Sequence, residues 1–329
     1  VKFCLLSMEP HHPDHGKLYT DEQNHTNIWA AIMGGTVYNG LLFDRGDYGL
    51  DYEYFNEFDL VMVALRQETI EVGLKVKQKS KTKVVVLLDA EVEHFTTHIT
   101  RDLQAKMVAF LNMADAVAVL HEESLPFFQA LTFRPVSLVG LPFPLKRVRR
   151  MCPPVQKREE IELGSIIQSS MVRNRDGLVN LAVLSEVGMT GVVDIRDPVE
   201  TEYIQSIRKH LPIQQIRFRY NNLGWDHYIT QANYSLLGLH LDNRYSWGRF
   251  PIDCAAVRMP CVAPPSLYTQ KILFPRLCVP YYDIEGAVAL VKKLVSDVNF
   301  YEEAVSYAQS QIELFSYEQC KMRLLNLIS

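Results

Sequence analysis

The sequence predicts an α/β protein built from two doubly wound, parallel-sheet domains. Three observations carry this reading. Short apolar runs alternate with amphipathic stretches over most of the chain, the pattern of repeated βα units. At 329 residues the chain exceeds one comfortable core, so two domains of about 150 residues each are expected. A stretch over 141–160 carries Pro142, Pro144, Pro153 and Pro154 with a basic run, a composition that resists helix and strand and marks a linker. The domains accordingly read as residues 1–150 and 151–329.

Taken in order, strands are expected at 2–6, 60–64, 83–88 and 116–120 in the first half, where the runs are apolar and β-branched. The second half offers strands at 163–168, 192–195, 215–219, 236–241 and 260–262. Helical spacing marks 25–33, 100–112, 122–130, 176–186, 201–209, 225–231 and 284–295. The final segment, 301–328, spaces Ala304, Tyr307, Ala308, Ile312 and Phe315 as a helix does. Strands bounded by helices in both halves give two Rossmann-like sheets, whose ligands lie at the carboxyl ends of the strands. No internal repeat or low-complexity tract interrupts this pattern.

Composition narrows the class. With 48% apolar and 22% charged residues the chain is an ordinary globular protein, and its net charge of −4 gives no global attraction to nucleic acid or anionic lipid. The six cysteines are scattered without a C-x-x-C pair, which argues against a zinc knuckle or a disulfide scaffold and fits a reducing cytoplasm. There is no run of 18 apolar residues, and the opening Phe3-Cys4-Leu5-Leu6 is too short for a signal-peptide core, so a cytoplasmic location is expected. Charge is locally uneven. Lys75, Lys77, Lys79, Lys81 and Lys83 alternate ahead of a strand, and Lys146, Arg147, Arg149 and Arg150 crowd the linker. Such runs are solvated faces, or they mark an anionic partner: a lipid phosphate, a polyanionic glycan or DNA.

The most informative segment is Leu239-His240-Leu241-Asp242-Asn243-Arg244-Tyr245-Ser246-Trp247-Gly248-Arg249-Phe250, which runs on through Asp253 and Cys254-Ala255-Ala256 to Pro260-Cys261-Val262-Ala263. It reads as a glycine turn, a helix with Asp253 on its first turn, and a short strand. A helix N-terminus presents unpaired N–H groups and the positive end of its dipole, so a turn leading into it seats a phosphate. Trp247, Gly248 and Arg249 form that turn, and Asp253 can accept hydrogen bonds from vicinal sugar hydroxyls. Its plainer role is to complement the helix dipole.

Other polar groups fall where strands end. After the strand predicted at 163–168, Arg173 and Arg175 flank Asn174, and guanidinium groups make forked bonds to phosphate oxygens. The same loop also serves simply as a helix start capped by Asp176. The strand at 83–88 ends in Asp89, with His94 close behind. The first strand leads into Glu9-Pro10-His11-His12-Pro13-Asp14-His15-Gly16-Lys17, where the prolines make a stiff turn that matches no zinc-ligand spacing. Asp14, His15 and Gly16 therefore read as part of an interface or surface loop rather than a metal site.

The 239–263 segment resembles the donor-binding motif of GT-B glycosyltransferases of the retaining, family-4-like kind. Asp253-Cys254-Ala255-Ala256 stands where that family has its Glu-Ala-Met-Ala helix, Pro260-Cys261-Val262-Ala263 stands at its strand, and Asp253 falls seven residues before Pro260 as the family's second acid does. Eight residues upstream of Asp253, where retaining members carry another Glu, this chain has Tyr245. The resemblance implies two Rossmann-like domains facing a cleft, with a C-terminal helix crossing back to the first at a turn similar to Phe315-Ser316-Tyr317. It implies a nucleotide-diphosphate-sugar donor such as a UDP-sugar as substrate, no tightly bound cofactor and no site metal. Donor-binding groups would be Arg173, Arg175, Gly248, Arg249, Phe250 and Asp253. Asp89, His94 and Asp14 would be the catalytic candidates, and His15 and Gly16 would lie on the acceptor side. Tyr245 keeps a second class open, a GT-B-fold binding or assembly subunit without catalysis. A nucleotide-sugar epimerase on the same scaffold is the third.

Overall fold

The computed structural model describes residues 1–7, 18, 20, 26–39, 52–90, 92–97, 99–157, 159–164, 177–195, 198–213, 215–220 and 224–329. The chain folds into two compact units, Val1–Pro144 with Leu314–Ser329, and Leu145–Glu313. Each is built on a parallel sheet.

The first unit contains strands β1 (Phe3–Ser7), β2 (Thr36–Asn39), β3 (Leu60–Ala64), β4 (Lys83–Leu88), β5 (Ala116–Val119) and β6 (Val136–Leu138), in the order β2-β1-β3-β4-β5-β6. Register pairs Leu5 with Met62, Met62 with Val85 and Leu87 with Ala118. The central strands β1 and β3 are buried along their whole length, which is why they read as continuous apolar runs rather than alternating ones. Helices Thr69–Lys79 and Arg101–Met113 pack against each other on the sheet, closing a core that includes Val61, Val63, Val86, Phe95, Phe110 and Phe128. The unit is completed from the far end of the chain. Ser316 caps the helix Tyr317–Ile328 by accepting from the Gln319 amide at 3.4 Å, and Phe143 N–H donates to the Phe315 carbonyl at 2.8 Å. Lys321 then donates to the Ile32 carbonyl at 3.0 Å. This is the returning C-terminal helix that the resemblance implies.

The second unit orders its strands β11-β10-β7-β8-β9, where β7 is Glu160–Leu163, β8 Thr190–Ile195, β9 Ile216–Tyr220, β10 Leu237–Leu239 and β11 Cys261–Val262. Succession runs outward from β7 to β8 and β9, then returns to the other side of β7 at β10. The switch point therefore lies between β7 and β10, where ligands of open parallel sheets bind beyond the carboxyl ends.

Two expectations are corrected here. The strand expected at 163–168 is β7, Glu160–Leu163; residues 165–176 lie outside the described residues. Within β7, Glu162 is fully buried and pairs with Arg219 from β9, while Ser235 Oγ donates to it at 2.8 Å. Arg219 also pairs with Asp194 from β8. A charge in a central strand is tolerated because this network satisfies it. Second, the proline-flanked linker contains a helix, Leu145–Met151, with Leu145 and Val148 buried. Its prolines bound the helix instead of preventing it, and Arg149 pairs with Glu313 at 2.6 Å. Lys75, Lys77 and Lys79, ahead of β4, lie on the helix Thr69–Lys79. Ile70, Gly73 and Val76 supply its buried face, and Gly73 sits against the Phe110 ring.

Candidate functional site

The second unit gathers its polar groups at the β7–β10 switch point. Gly164 follows β7, and His240 and Asp242 follow β10; a Cβ on Gly164 would stand 2.3 Å from His240 Nδ1, so only glycine lets the imidazole pack there. His240 is buried against Phe250, ring centroids 5.3 Å apart, with its Nε2 3.6 Å from Asp242 Oδ2. Arg244 approaches the other oxygen of Asp242 at 3.4 Å. Asn180 brackets Leu241, donating to its carbonyl at 2.9 Å and accepting from its amide at 2.8 Å. These bonds fix the course of the chain leaving β10.

The chain then turns at Gly248, whose φ of +73° lies in the left-handed region, and the helix Arg249–Ala256 begins at once. A side chain at Gly248 would also come 2.6 Å from Thr269 Oγ1. The Gly248, Arg249 and Phe250 amides head the helix. Pro251 follows within the first turn, where its missing N–H would have had no helical partner anyway.

Asp253 does not lie on the first turn, as the sequence suggested, but on the second, so it is not a dipole-complementing cap. Its side chain is 6% exposed. Oδ1 accepts from Trp225 Nε1 at 3.2 Å and from Arg249 Nε at 3.4 Å. Burial pushes its carboxyl up to about 6, and the Arg249 charge and the two hydrogen bonds restrain the rise. Arg249 stacks on Trp225, guanidinium carbon 4.9 Å from the ring centroid. Trp225, His240, Asp242 and Arg244 were not singled out from the sequence. The alternation of polar residues at 240, 242 and 244 beyond a strand was the available signal for three of them. Trp225 reaches the site only through tertiary contact. Phe250 is nearly buried and serves as a wall, and Tyr245, in the place of the family's Glu, is 62% exposed.

In the first unit the corresponding switch point lies between β1 and β3. Ser7 Oγ, ending β1, donates to Asn27 Oδ1 at 2.8 Å. Asp89, just beyond β4, is buried; Arg66, just beyond β3, pairs with its Oδ1 at 2.9 Å, and Thr26 Oγ1 donates to its Oδ2 at 2.7 Å. Asp89 is thus an oriented, charge-compensated carboxylate. His94 is half-buried on the helix Val92–Thr97, edge-on to Phe95 at 5.2 Å. Asp14, His15, Gly16, Arg173 and Arg175 lie outside the described residues. Among the described residues no cluster of His, Cys, Asp or Glu is arranged to hold a metal ion, and no helix is long and apolar enough to cross a membrane.

Two parallel α/β units, with a last helix returning to the first, make this the GT-B fold of glycosyltransferases. Solved structures agree over nearly the whole chain. The sucrose-phosphate synthase of Thermosynechococcus elongatus matches with a TM-score of 0.75 at 14% identity, over 99% of this chain and 98% of that one. Anabaena HepE, solved in complex with UDP-glucose, matches with a TM-score of 0.71 at 13% identity, over 99% and 98% of the two chains. An α-glucosyltransferase in complex with UDP-glucose and DNA containing an abasic site matches with a TM-score of 0.59 at 13% identity, over 99% of both. No family model and no curated protein matches the sequence.

Proposed function

We propose that the protein is a hexosyl- or pentosyltransferase that takes its sugar from a nucleoside-diphosphate-sugar donor. The observation that carries the proposal is the turn–helix unit at the β7–β10 switch point: the Gly248–Phe250 amides, the Arg249 guanidinium and the buried carboxyl of Asp253 a turn deeper. As the glycosidic bond breaks, charge builds on the departing diphosphate. The helix N-terminus and Arg249, with Arg173 and Arg175 between β7 and the next helix in sequence, would stabilise that charge. Asp253 would accept from the ribose hydroxyls on Oδ2, while Trp225 Nε1 stays on Oδ1. The nucleotide sugar is the substrate, and no tightly bound cofactor enters the reading.

The acceptor is assigned to the first domain, residues 1–150, and the donor to 151–329. Asp89, held by Arg66 and Thr26, is the carboxylate proposed to meet the transferred sugar; His94 and Asp14 are the alternative catalytic groups, with His15 and Gly16 on the acceptor side. An anionic acceptor (a glycan, a lipid phosphate or a modified base in DNA) fits the basic runs. A cytoplasmic location fits six cysteines that form no disulfide. One observation favours a second reading: exposed Tyr245 replaces an acid, as in a GT-B-fold subunit that binds nucleotide without turning it over.

Calorimetric titration with UDP, GDP, ADP and CDP, followed by a donor-hydrolysis assay with the matching nucleotide sugars, tests the proposal. One nucleotide should bind and its sugar donor should be hydrolysed slowly without acceptor. Binding without turnover in any acceptor mixture supports the subunit, and conversion of the donor sugar with no second substrate supports an epimerase. Binding of none of the four refutes the donor site.

A further inference from the structure

We infer that Trp225 is a positioning residue of the donor site, its indole N–H orienting the Asp253 carboxylate and its ring face carrying the Arg249 guanidinium. The inference rests on the donor reading above and extends it from one aspartate to a three-member unit. Trp225 lies at the start of the helix Gly224–Ala232, which follows β9, so it approaches from a different element than the turn it serves. Its Nε1 is 3.2 Å from Asp253 Oδ1 and its ring is 4.9 Å from the Arg249 guanidinium carbon. One flat side chain therefore sets both partners. The N–H holds one carboxylate oxygen and leaves the orientation of the other defined, and the ring face keeps the guanidinium beside the helix N-terminus.

The groups around the Asp253 carboxyl can be named. Arg249 comes from its own helix, and Trp225 and the half-buried Tyr228 from the helix Gly224–Ala232; the Tyr228 hydroxyl is pushed up by burial and by the Asp253 charge. The neighbouring Cys254 thiol is likewise pushed up by burial. Arg147, from the helix Leu145–Met151, is engaged by Asp226 on the Trp225 helix. Arg249 and Trp225 are thus the groups that favour the carboxylate, and loss of the indole N–H leaves Arg249 to do so alone.

The test measures UDP and GDP affinity by calorimetry between pH 5 and pH 8 for the wild type, Trp225→Phe, Trp225→Ala and Asp253→Asn. The Asn variant supplies the baseline for titration of the nucleotide's own phosphate. Relative to that baseline, wild-type affinity should fall as pH drops through about 6, where the carboxyl protonates. Trp225→Phe keeps a ring face but no N–H. It should bind about tenfold more weakly at pH 7, the effect of one hydrogen bond to a charged group, with its midpoint moved to higher pH. Trp225→Ala should bind more weakly still. A role confined to packing would leave the Phe variant's midpoint where the wild type has it. Wild-type affinity and midpoint in Trp225→Phe, with binding weakened in Asp253→Asn, would overturn the inference and leave the donor reading standing. A wild type that binds neither nucleotide would overturn both.

Discussion

Asp253→Asn is expected to weaken nucleoside-diphosphate binding by about tenfold to a hundredfold, the consequence of losing hydrogen bonds to a charged acceptor. Asparagine matches aspartate in volume, so the packing under Trp225 and Arg249 survives and the loss reports on charge. The same variant has a second signature, in stability. Folding raises this carboxyl from an ordinary 3.8 to about 6. Between those values the folded protein holds a proton that the unfolded chain releases. The stability contributed by the raised value is therefore complete below about 4 and lost as pH rises through 6, by roughly 3 kcal/mol through linkage. The Asn variant lacks this slope. Thermal unfolding at pH 5 and pH 7.5 should show the wild type losing ground to the variant at the higher pH. Parallel behaviour at both would mean that the carboxyl titrates as an ordinary surface group.

Arg219→Met should cause the largest loss of stability. Arg219 is 7% exposed and joins Glu162 of β7 to Asp194 of β8, with Tyr228 beneath it, 5.4 Å from guanidinium carbon to ring centroid. Burial pushes the Glu162 carboxyl up, and the Arg219 charge opposes that rise. Without the arginine, a carboxylate with no water around it must remain uncompensated or take a proton. Breaking a buried pair from one side costs about 3–5 kcal/mol. Urea unfolding followed by tryptophan fluorescence should show a markedly lower midpoint. The double variant Glu162→Leu with Arg219→Met should recover part of the loss, since removing both charges removes the unmet one. A shift worth under about 1 kcal/mol in the single variant would show the network to be hydrated or already neutral.

What the sequence disclosed and what it hid follow from the range of the interactions involved. The strands at 60–64 and 83–88 were legible because burial on both faces writes an unbroken apolar run into neighbouring residues. The helix Ile284–Ser296 announced itself by its spacing, and Asp283 caps it through the Gly286 amide at 2.9 Å. The glycine turn was legible for the same local reason, since the left-handed φ at Gly248 selects glycine. Its helix starts directly after that glycine and admits Pro251 within the first turn, which moves Asp253 one turn deeper than the pattern suggested.

The remaining features depend on residues distant in sequence. Glu162 looks like a surface acid until Arg219 reaches across β8 to meet it. Trp225 looks like an amphipathic helix residue until Asp253 accepts its N–H. Asp89 was legible as a strand-end carboxylate, but its compensation by Arg66 and Thr26 was not, because those two leave different strands and loops.

The most direct measurement is a crystal structure of the protein with the tightest-binding nucleoside diphosphate. Electron density should place the diphosphate against the amides of the 248–250 bend and the ribose diol on the buried aspartate, with the arginine turned from that carboxylate toward the phosphates. A nucleotide seated elsewhere, with the tryptophan–arginine–aspartate trio undisturbed, would contradict the account at its root.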